Sequence, residues 1–379
     1  ADELNLLCSM TAHGINPNIH TIARICNPDY TDQVYKMQKT FALSLTVNPE
    51  KQAAIEIERL LKFPGFLKRD SFAKGRVEIV ELRVDERSRL CNVALSELNR
   101  VIKCRVLVCA VLRRGDVVAP DGSFVLREGD RIFVTASTES LATLLDNLGI
   151  ITKKVNHVMI CGGGRVSYYL AQQLEKDGMT VRLIEKDPKH CEELAALLPK
   201  TEIINDDASN TFVLKRENIE SCDALVTATG MDELNMIISL YGTKHGVSQV
   251  ITKLGHMENG SMIDQLPIGS TIWPKDLCCN GIVRYIRAMH NQTGAAVSVH
   301  SIADGKAEAI EFHVEEKKPY CDKPLKNMKV KQNILVSCIT HGGVTELPGG
   351  DSVIREGDTV VVVTTRNDII YKLDDIFEA

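Results

Sequence analysis

Residues 157–171 read His-Val-Met-Ile-Cys-Gly-Gly-Gly-Arg-Val-Ser-Tyr-Tyr-Leu-Ala: an apolar run enters three glycines and leaves as a helical pattern. These types at this spacing suit a phosphate. Gly162 allows the tight turn, and Gly164 lets backbone N–H groups approach an anion at the positive end of the following helix. Arg165 either donates a bidentate pair to a phosphate or is an exposed arginine at a helix start, and Val166 completes the first turn. Ser167 stands where the dinucleotide fingerprint has its third glycine, and its small side chain still permits close packing of helix on strand. Glu185 lies 23 residues beyond Gly162, at the end of the next apolar run, where a carboxylate can accept from ribose hydroxyls. A carboxylate there favours a free 2′-hydroxyl, so NAD or an adenine nucleotide fits better than NADP, with Lys186 beside it as the opposing feature. Asp207-Ala208 and Thr229-Gly230 end two further apolar runs. Asp207 reads equally as a turn former or as a ligand.

These residues need a parallel sheet that brings strand ends to one edge. Residues 155–297 supply the pattern, with strands expected at Val158–Cys161, Thr180–Ile184, Glu202–Ile204, Ala224–Ala228 and Gln249–Thr252. Helices over Ser167–Lys176 and Lys189–Leu198 fit between them, as in a doubly wound fold. Upstream, Leu4–His13 reads as a helix and Thr21–Cys26 as a short strand. Asn48-Pro49-Glu50 opens another helix whose Ala54, Ile57, Leu60 and Leu61 make one apolar stripe, ended by Pro64-Gly65. From Asp70 to Ile150 the texture changes to strands with turn punctuation, around Val77–Leu82, Cys104–Leu112 and Arg131–Ala136, closed by a helix over Glu139–Leu148.

The chain also repeats itself. Val125-Leu-Arg-Glu-Gly-Asp130 recurs as Val353-Ile-Arg-Glu-Gly-Asp358, an offset of 228 residues, and Gly115, Pro120 and Gly122 fall on Gly343, Pro348 and Gly350 at the same offset. Asp2-Glu-Leu-Asn5 recurs as Asp232-Glu-Leu-Asn235, and residues 73–84 are echoed by 303–314, both offset by 230. A period this long means duplicated domains, since solenoid repeats run to roughly 20–50 residues. Four parts are expected: the second half of a first nucleotide-binding domain (1–69), a small α+β lobe (70–150), a second nucleotide-binding domain (154–298) and a second small lobe (299–379). Counterparts of His157 to Gly230 would lie before Ala1. The first unit is therefore expected to lack its beginning, and the absence of an initiator methionine fits a truncated chain.

Composition narrows the function classes. A formal net charge of −5 and no basic tract leave no electrostatic footprint for nucleic acid. No apolar stretch approaches the roughly 18–20 residues of a membrane span. Twelve scattered cysteines without a Cys-x-x-Cys pair read as reduced, mostly buried thiols, and no metal site is expected.

The order of nucleotide-binding half, helix and Arg-Glu-Gly-Asp lobe, given twice, resembles the tandem RCK or KTN regulatory domains of potassium transport and channel proteins. Asp2-Glu-Leu-Asn5, Thr21–Arg24 with Asn27–Tyr30, Asn48-Pro49 with Leu60–Gly65, the Gly162 turn and both Glu-Gly-Asp lobes carry the resemblance. It departs at Ser167, at Asp206 where the family often has glycine, and in the missing first fingerprint. The resemblance implies Rossmann-like doubly wound parallel sheets, each followed by a small α+β lobe, in a cytoplasmic, non-enzymatic ring. That ring would sit at the inner face of the plasma membrane through a potassium transporter of the TrkH type. NAD(H), or ATP/ADP at the same site, would bind at Gly162, Gly164, Arg165, Val166, Glu185, Asp207, Ala208, Thr229 and Gly230. The helix over Lys51–Leu61 would be the crossover joining neighbouring lobes.

Two other readings stay open. An NAD-dependent oxidoreductase would need an acid or base beside the nicotinamide and a substrate domain, and none of the ten histidines lies in a recognisable constellation. The runs Val106–Leu112 and Ile334–Ile339 could instead line a groove between lobes for a second messenger, or pack the lobes together.

Overall fold

A computed structural model describes residues 2–62, 65–86, 88–148, 154–255, 263, 266–289, 296–365 and 369–378. The chain folds as two compact units, each discontinuous in sequence: residues 1–62 with 154–285, and residues 63–153 with 286–379.

In the first unit the chain opens with α1 (Asp2–Ile15), β1 (Ile22–Arg24), α2 (Pro28–Lys36), β2 (Leu45–Val47) and α3 (Pro49–Lys62). Its β1 and β2 form a two-stranded parallel sheet. As the sequence suggested, Asn48 caps α3, its Oδ1 accepting from Lys51 N–H at 2.8 Å. The Pro64 half of the expected breaker lies outside the described residues.

Between the two parts of this unit run β3 (Lys68–Phe72), β4 (Val77–Arg83), α4 (Leu98–Ile102), β5 (Leu107–Arg113), β6 (Asp116–Val118), β7 (Arg131–Ser137) and α5 (Thr138–Leu148). The first unit then resumes with β8 (His157–Cys161), α6 (Arg165–Lys176), β9 (Thr180–Glu185), α7 (Pro188–Leu197), β10 (Thr201–Asn205), α8 (Thr211–Arg216), β11 (Ala224–Thr227), α9 (Asp232–Lys244), β12 (Gln249–Lys253), β13 (Ser270–Ile272) and α10 (Pro274–Met289). Strands β8 to β13 make a six-stranded parallel sheet in the order β10-β9-β8-β11-β12-β13. The order reverses at β8 and β11, so their carboxyl ends flank a crevice of the kind that takes ligands in doubly wound sheets. Five strands fall where expected; β13, only three residues long, had no periodicity to read.

The apolar stripe of α3 lies along α6. Ala53, Ala54, Ile57, Leu60 and Leu61 are at most 1% exposed and share one core with Val166, Tyr169, Leu170 and Leu174. Polar groups join the same contact: Tyr169 Oη donates to Cys26 O at 3.0 Å, and Gln249 Nε2 to Leu60 O at 2.7 Å.

The second unit holds two lobes of one plan. One has the antiparallel order β3-β4-β7-β5-β6; the other, built from β14 (Ala296–Ile302), β15 (Ala307–His313), β16 (Ile334–His341), β17 (Val344–Glu346) and β18 (Thr359–Thr364), has the order β14-β15-β18-β16-β17. Even the irregularities repeat. Both central pairings carry a bulge, at Cys109 and at Ser337; Cys109 Sγ–H donates to Phe133 O and Ser337 Oγ–H to Val361 O. The repeated Arg-Glu-Gly-Asp is a turn device. Asp130 and Asp358, 1% and 2% exposed, each accept from the backbone N–H of the arginine three residues earlier, at 2.8 and 2.6 Å. Gly129 and Gly357 take the positive φ the turn needs.

The lobes face each other through Phe72, Val77, Ile79, Cys109 and Phe133 of one and Ile302, Ala307, Ala309, Cys338 and Val361 of the other. Lys306 Nζ donates to Gly115 O, and Arg76 lies against Gly343, its repeat-related counterpart. Asp70 and His300, equivalent positions of the two repeats, meet at 3.0 Å.

Candidate functional site

Strand β8 delivers the chain into Gly162, whose φ of +100° lies far outside what L side chains adopt. A Cβ there would fall 2.8 Å from Thr229 Cα and 2.9 Å from Ala228 O, so only glycine lets β8 and the β11 loop close on each other. Gly163 is close-packed as well, but against side chains: its Cβ would meet Leu194 Cδ1 at 2.8 Å and Glu185 Oε2 at 2.9 Å, so a substitution there would displace the Glu185 carboxylate. Gly164 differs from both: it caps α6 without a side chain, and among the described residues nothing lies within 4 Å of where its Cβ would be. The first-turn N–H groups of α6 therefore face an open approach, and helix geometry leaves such groups without intrahelical acceptors. Arg165 is exposed at the rim and Val166 is buried beneath it.

Ser167 is fully buried, as the third fingerprint position requires, and its Oγ has no hydrogen-bond partner among the described residues.

Glu185 closes β9 beside the turn. Its Oε2 accepts from Gly163 N–H at 2.7 Å and its Oε1 from Asp187 N–H at 2.9 Å, so the carboxylate is fixed against the glycines. Each oxygen keeps a lone pair for a hydroxyl donor. Asp187 caps α7, accepting from Lys189 N–H and His190 N–H. From that helix, His190 Nε2 reaches back to Gly163 O at 2.8 Å.

On the opposite wall, the Thr229-Gly230 segment is set by Asn235, which is 0% exposed. Its Oδ1 accepts from Thr229 N–H at 2.9 Å and Oγ1–H at 2.7 Å, and its Nδ2 donates to Lys253 O at 3.0 Å. Lys253 Nζ donates to Thr229 O at 2.7 Å. Burial lowers this ammonium's pKa, opposed by the carboxylates of Asp232 and Glu50. Asp207 is exposed, and its Oδ1 accepts from Ser209 N–H at 2.8 Å. That bond and the Ser209 side chain hold its carboxyl below the usual range. Ala208 is buried behind it. Asp206 is turned aside, paired with Arg216 at 2.8 Å.

The residues picked from sequence thus lie on the β8, β9, β10 and β11 ends of one sheet. The Gly162–Val166 turn is bonded to Glu185 and packed on Thr229, while Asp207 makes its own local turn. Sequence reading missed Gly163, His190, Asn235 and Lys253. One signal was available for Asn235, in the repeat of Asp2-Glu-Leu-Asn5 as Asp232-Glu-Leu-Asn235. Both copies do the same work: Asp2 Oδ2 accepts from Cys26 N–H at 2.7 Å and Asp232 Oδ2 from Gly255 N–H at 2.8 Å, while Asn5 donates to Arg24 O as Asn235 donates to Lys253 O. The duplicated tetrapeptide is a device that ties a helix start to a strand end.

The set fits a dinucleotide on its own geometry: a helix N-terminus with no side-chain cap, a glycine turn held close to the neighbouring strand, and a carboxylate on the adjoining strand. Among the described residues no group of three or more His, Cys, Asp or Glu side chains could hold a metal ion, and no helix is long and apolar enough to cross a membrane.

Comparison with known proteins adds to this geometry. Residues 158–274 match the TrkA-N domain, and residues 79–149 and 309–377 each match the TrkA-C domain. The Trk system potassium uptake protein TrkA homolog 1 of Methanosarcina mazei is 28% identical over 368 residues, 95% of this chain and 81% of that protein. TrkA of Haemophilus influenzae is 26% identical over 386 residues, covering 100% of this chain and 82% of that protein. Among solved structures, the GsuK RCK domain superposes with a TM-score of 0.57 at 14% identity, over 96% of this chain and 76% of that one. The GsuK channel bound to NAD gives 0.55 at 14%, over 96% and 63%. At these identities the structural likeness speaks for the fold.

Proposed function

Since the chain belongs to the family built from TrkA-N and TrkA-C domains, we propose that it is a nucleotide-binding regulatory subunit of a potassium uptake system. Two relatives bear that system's name, and a channel sharing the fold has been solved with NAD bound. The observation that carries the reading is the turn itself: Gly164 leaves the α6 N-terminus open while Gly163 N–H ties the turn to Glu185.

In this reading NAD(H) lays its diphosphate on the first-turn N–H groups of α6, with Arg165 at the rim. Ribose hydroxyls donate to Glu185, and Asp207, Ala208, Thr229 and Gly230 border the remaining cleft. ATP or ADP would use the same anion site. The nucleotide supplies charge and hydroxyl groups here and no reaction. A ligand biases an equilibrium only through a difference in affinity between two states. Helix α6 is the element placed to convert binding into movement, because its N-terminus is the anion site and its flank carries α3. We attach to this reading the four-part division at 1–69, 70–150, 154–298 and 299–379, a homo-oligomeric ring, and a cytoplasmic place beneath a TrkH-type transporter.

Calorimetric titration of the chain with NAD, NADH, ATP and ADP tests it, with Gly164→Asp as control. The space beside Gly164 accommodates the aspartate, whose charge occupies the phosphate position. Binding that disappears in the variant is the expected result; no binding of any of the four nucleotides by the parent chain refutes the proposal.

A further inference from the structure

Both backbone groups of Gly163 are held by side chains, one from the end of β9 and one from α7. Its N–H donates to Glu185 Oε2 at 2.7 Å, and its carbonyl accepts from His190 Nε2 at 2.8 Å. The carbonyl of Gly163 and the N–H of Gly164 belong to one planar trans peptide, so they point in opposite directions. With the carbonyl on His190, the Gly164 N–H is turned away from α7. With glycine on both sides, this peptide has no Cβ to resist its rotation. If it rotated, a carbonyl oxygen would face the ligand where an N–H should be.

The imidazole has a second partner. His190 Nδ1 lies 3.0 Å from Glu193 Oε2. A backbone carbonyl and a carboxylate only accept, so both bonds form together only when both ring nitrogens carry protons. The Glu193 bond is the main cause of a pKa raised above the ordinary histidine value, burial opposes it, and the Gly163 carbonyl and the Glu185 charge add to it. Glu193 from α7 and Glu185 from β9 are the charged groups acting on the ring.

We infer that His190 is a positioning residue for the nucleotide diphosphate: as an imidazolium it pins the Gly163–Gly164 peptide with its N–H available to the anion, and binding at this turn takes up a proton. The inference rests on the dinucleotide reading above. Its sign follows from the geometry. The doubly bonded, positively charged form is favoured by an anion on the turn and is lost as pH rises, so affinity falls with pH.

The test is calorimetric titration of NADH into the full chain at about pH 6 and about pH 8, in two buffers of different ionisation heat. Affinity is expected to fall about three- to tenfold over that interval, tenfold being the effect of one pKa unit of coupling, with net proton uptake in the part of the interval where affinity is falling. His190→Gln keeps a neutral donor for the Gly163 carbonyl and cannot titrate; its affinity is expected to be flat with pH and its proton uptake absent. A parent chain with flat affinity and no uptake, or a variant that keeps the parent's pH profile, overturns the inference while leaving the dinucleotide reading intact. A parent chain that binds no NADH at either pH sinks that reading. The His190 arrangement is then judged by nuclear magnetic resonance titration of the ligand-free chain, where a raised pKa that drops in Glu193→Gln is expected. An unshifted His190 overturns it.

Discussion

Substituting alanine at Gly162 and at Gly164 separates two roles that the sequence Gly-Gly-Gly does not distinguish. At Gly162 an alanine must hold φ near +100° and place its Cβ 2.8 Å from Thr229 Cα. Backbone strain of this kind costs about 1–3 kcal/mol, and overpacking against backbone that cannot swing aside costs about 1–3 kcal/mol more. The sum, about 2–6 kcal/mol, is a large part of the roughly 5–15 kcal/mol that holds a domain folded. At Gly164 the φ of −64° suits alanine and the Cβ enters open space. There the lost flexibility of the unfolded chain, worth up to about 1 kcal/mol, opposes the N-cap preference for glycine over alanine, about the same size, so little net change is expected. The protein carries its own probe, because Trp273, its only tryptophan, lies in the unit that holds the turn. Urea unfolding followed by tryptophan fluorescence therefore reports this unit without the other. With a denaturant slope of about 1–3 kcal/mol per molar, Gly162→Ala should lower the midpoint by roughly 1 M or more, and Gly164→Ala should leave it within a few tenths. Gly164→Ala should weaken nucleotide binding, since its methyl stands where the phosphate approaches. Equal midpoints for the two variants would falsify the argument that close approach to Thr229 is what demands Gly162.

Other substitutions test the supports of the site and of the lobes. Asn235→Ala removes the acceptor of Thr229 N–H and the donor to Lys253 O from a fully buried position; a loss of about 2–4 kcal/mol is expected from the polar groups left unpaired, measured by the same fluorescence midpoint, with nucleotide binding weakened as well. Asp130→Ala strips the partner from Arg113, whose Nε and Nη2 both bond that carboxylate at 2.7 Å, and the acceptor from Arg127 N–H; with Arg113 part-exposed, about 1–3 kcal/mol is expected in calorimetric unfolding of the second unit. His300→Asp sets carboxylate against Asp70 where the lobes meet; it should lower the unfolding temperature, and adding Asp70→His should recover most of the loss, a recovery that a merely space-filling His300 would not produce. Burial pushes the Asp223 carboxyl up, and the N–H groups of Asn156 and His157 outweigh it, holding the pKa below the usual range. A depressed carboxyl contributes stability above its unfolded value near 4 and loses it as pH falls through the folded value. Asp223→Asn should accordingly be less stable than the parent at neutral pH, with the gap closing in acid.

Much of this protein was legible because its signals are local. Ala54, Ile57, Leu60 and Leu61 recur at helical spacing and all are buried on one face of α3; the strands around Val158, Leu183 and Leu225 run apolar because a parallel sheet is covered on both faces. The glycine turn announced itself by following one such strand and opening a helix. Reading failed where the signal is short or shared. β13 has three residues. The Cys104–Leu112 run carries its strand only over Leu107–Arg113, since apolar content does not say where pairing begins. Arg-Glu-Gly-Asp, the most conspicuous repeat, serves a turn with a buried carboxylate and belongs to the fold rather than to any ligand.

Sequence by itself determined the duplication, the alternation of strands and helices, and the turn with its acidic partner at the end of β9, because each depends on residues within a few positions or on comparison of the chain with itself. Tertiary structure decided which glycines are obligatory and which is open. It brought Asn235, Lys253 and His190 to the turn, laid α3 along α6, and set Asp70 against His300. These depend on contacts whose chain separations run from 6 residues, for Thr229 and Asn235, through 27, for Gly163 and His190, up to 230, for Asp70 and His300. A linear pattern carries no record of such distances, and only packing fixes them.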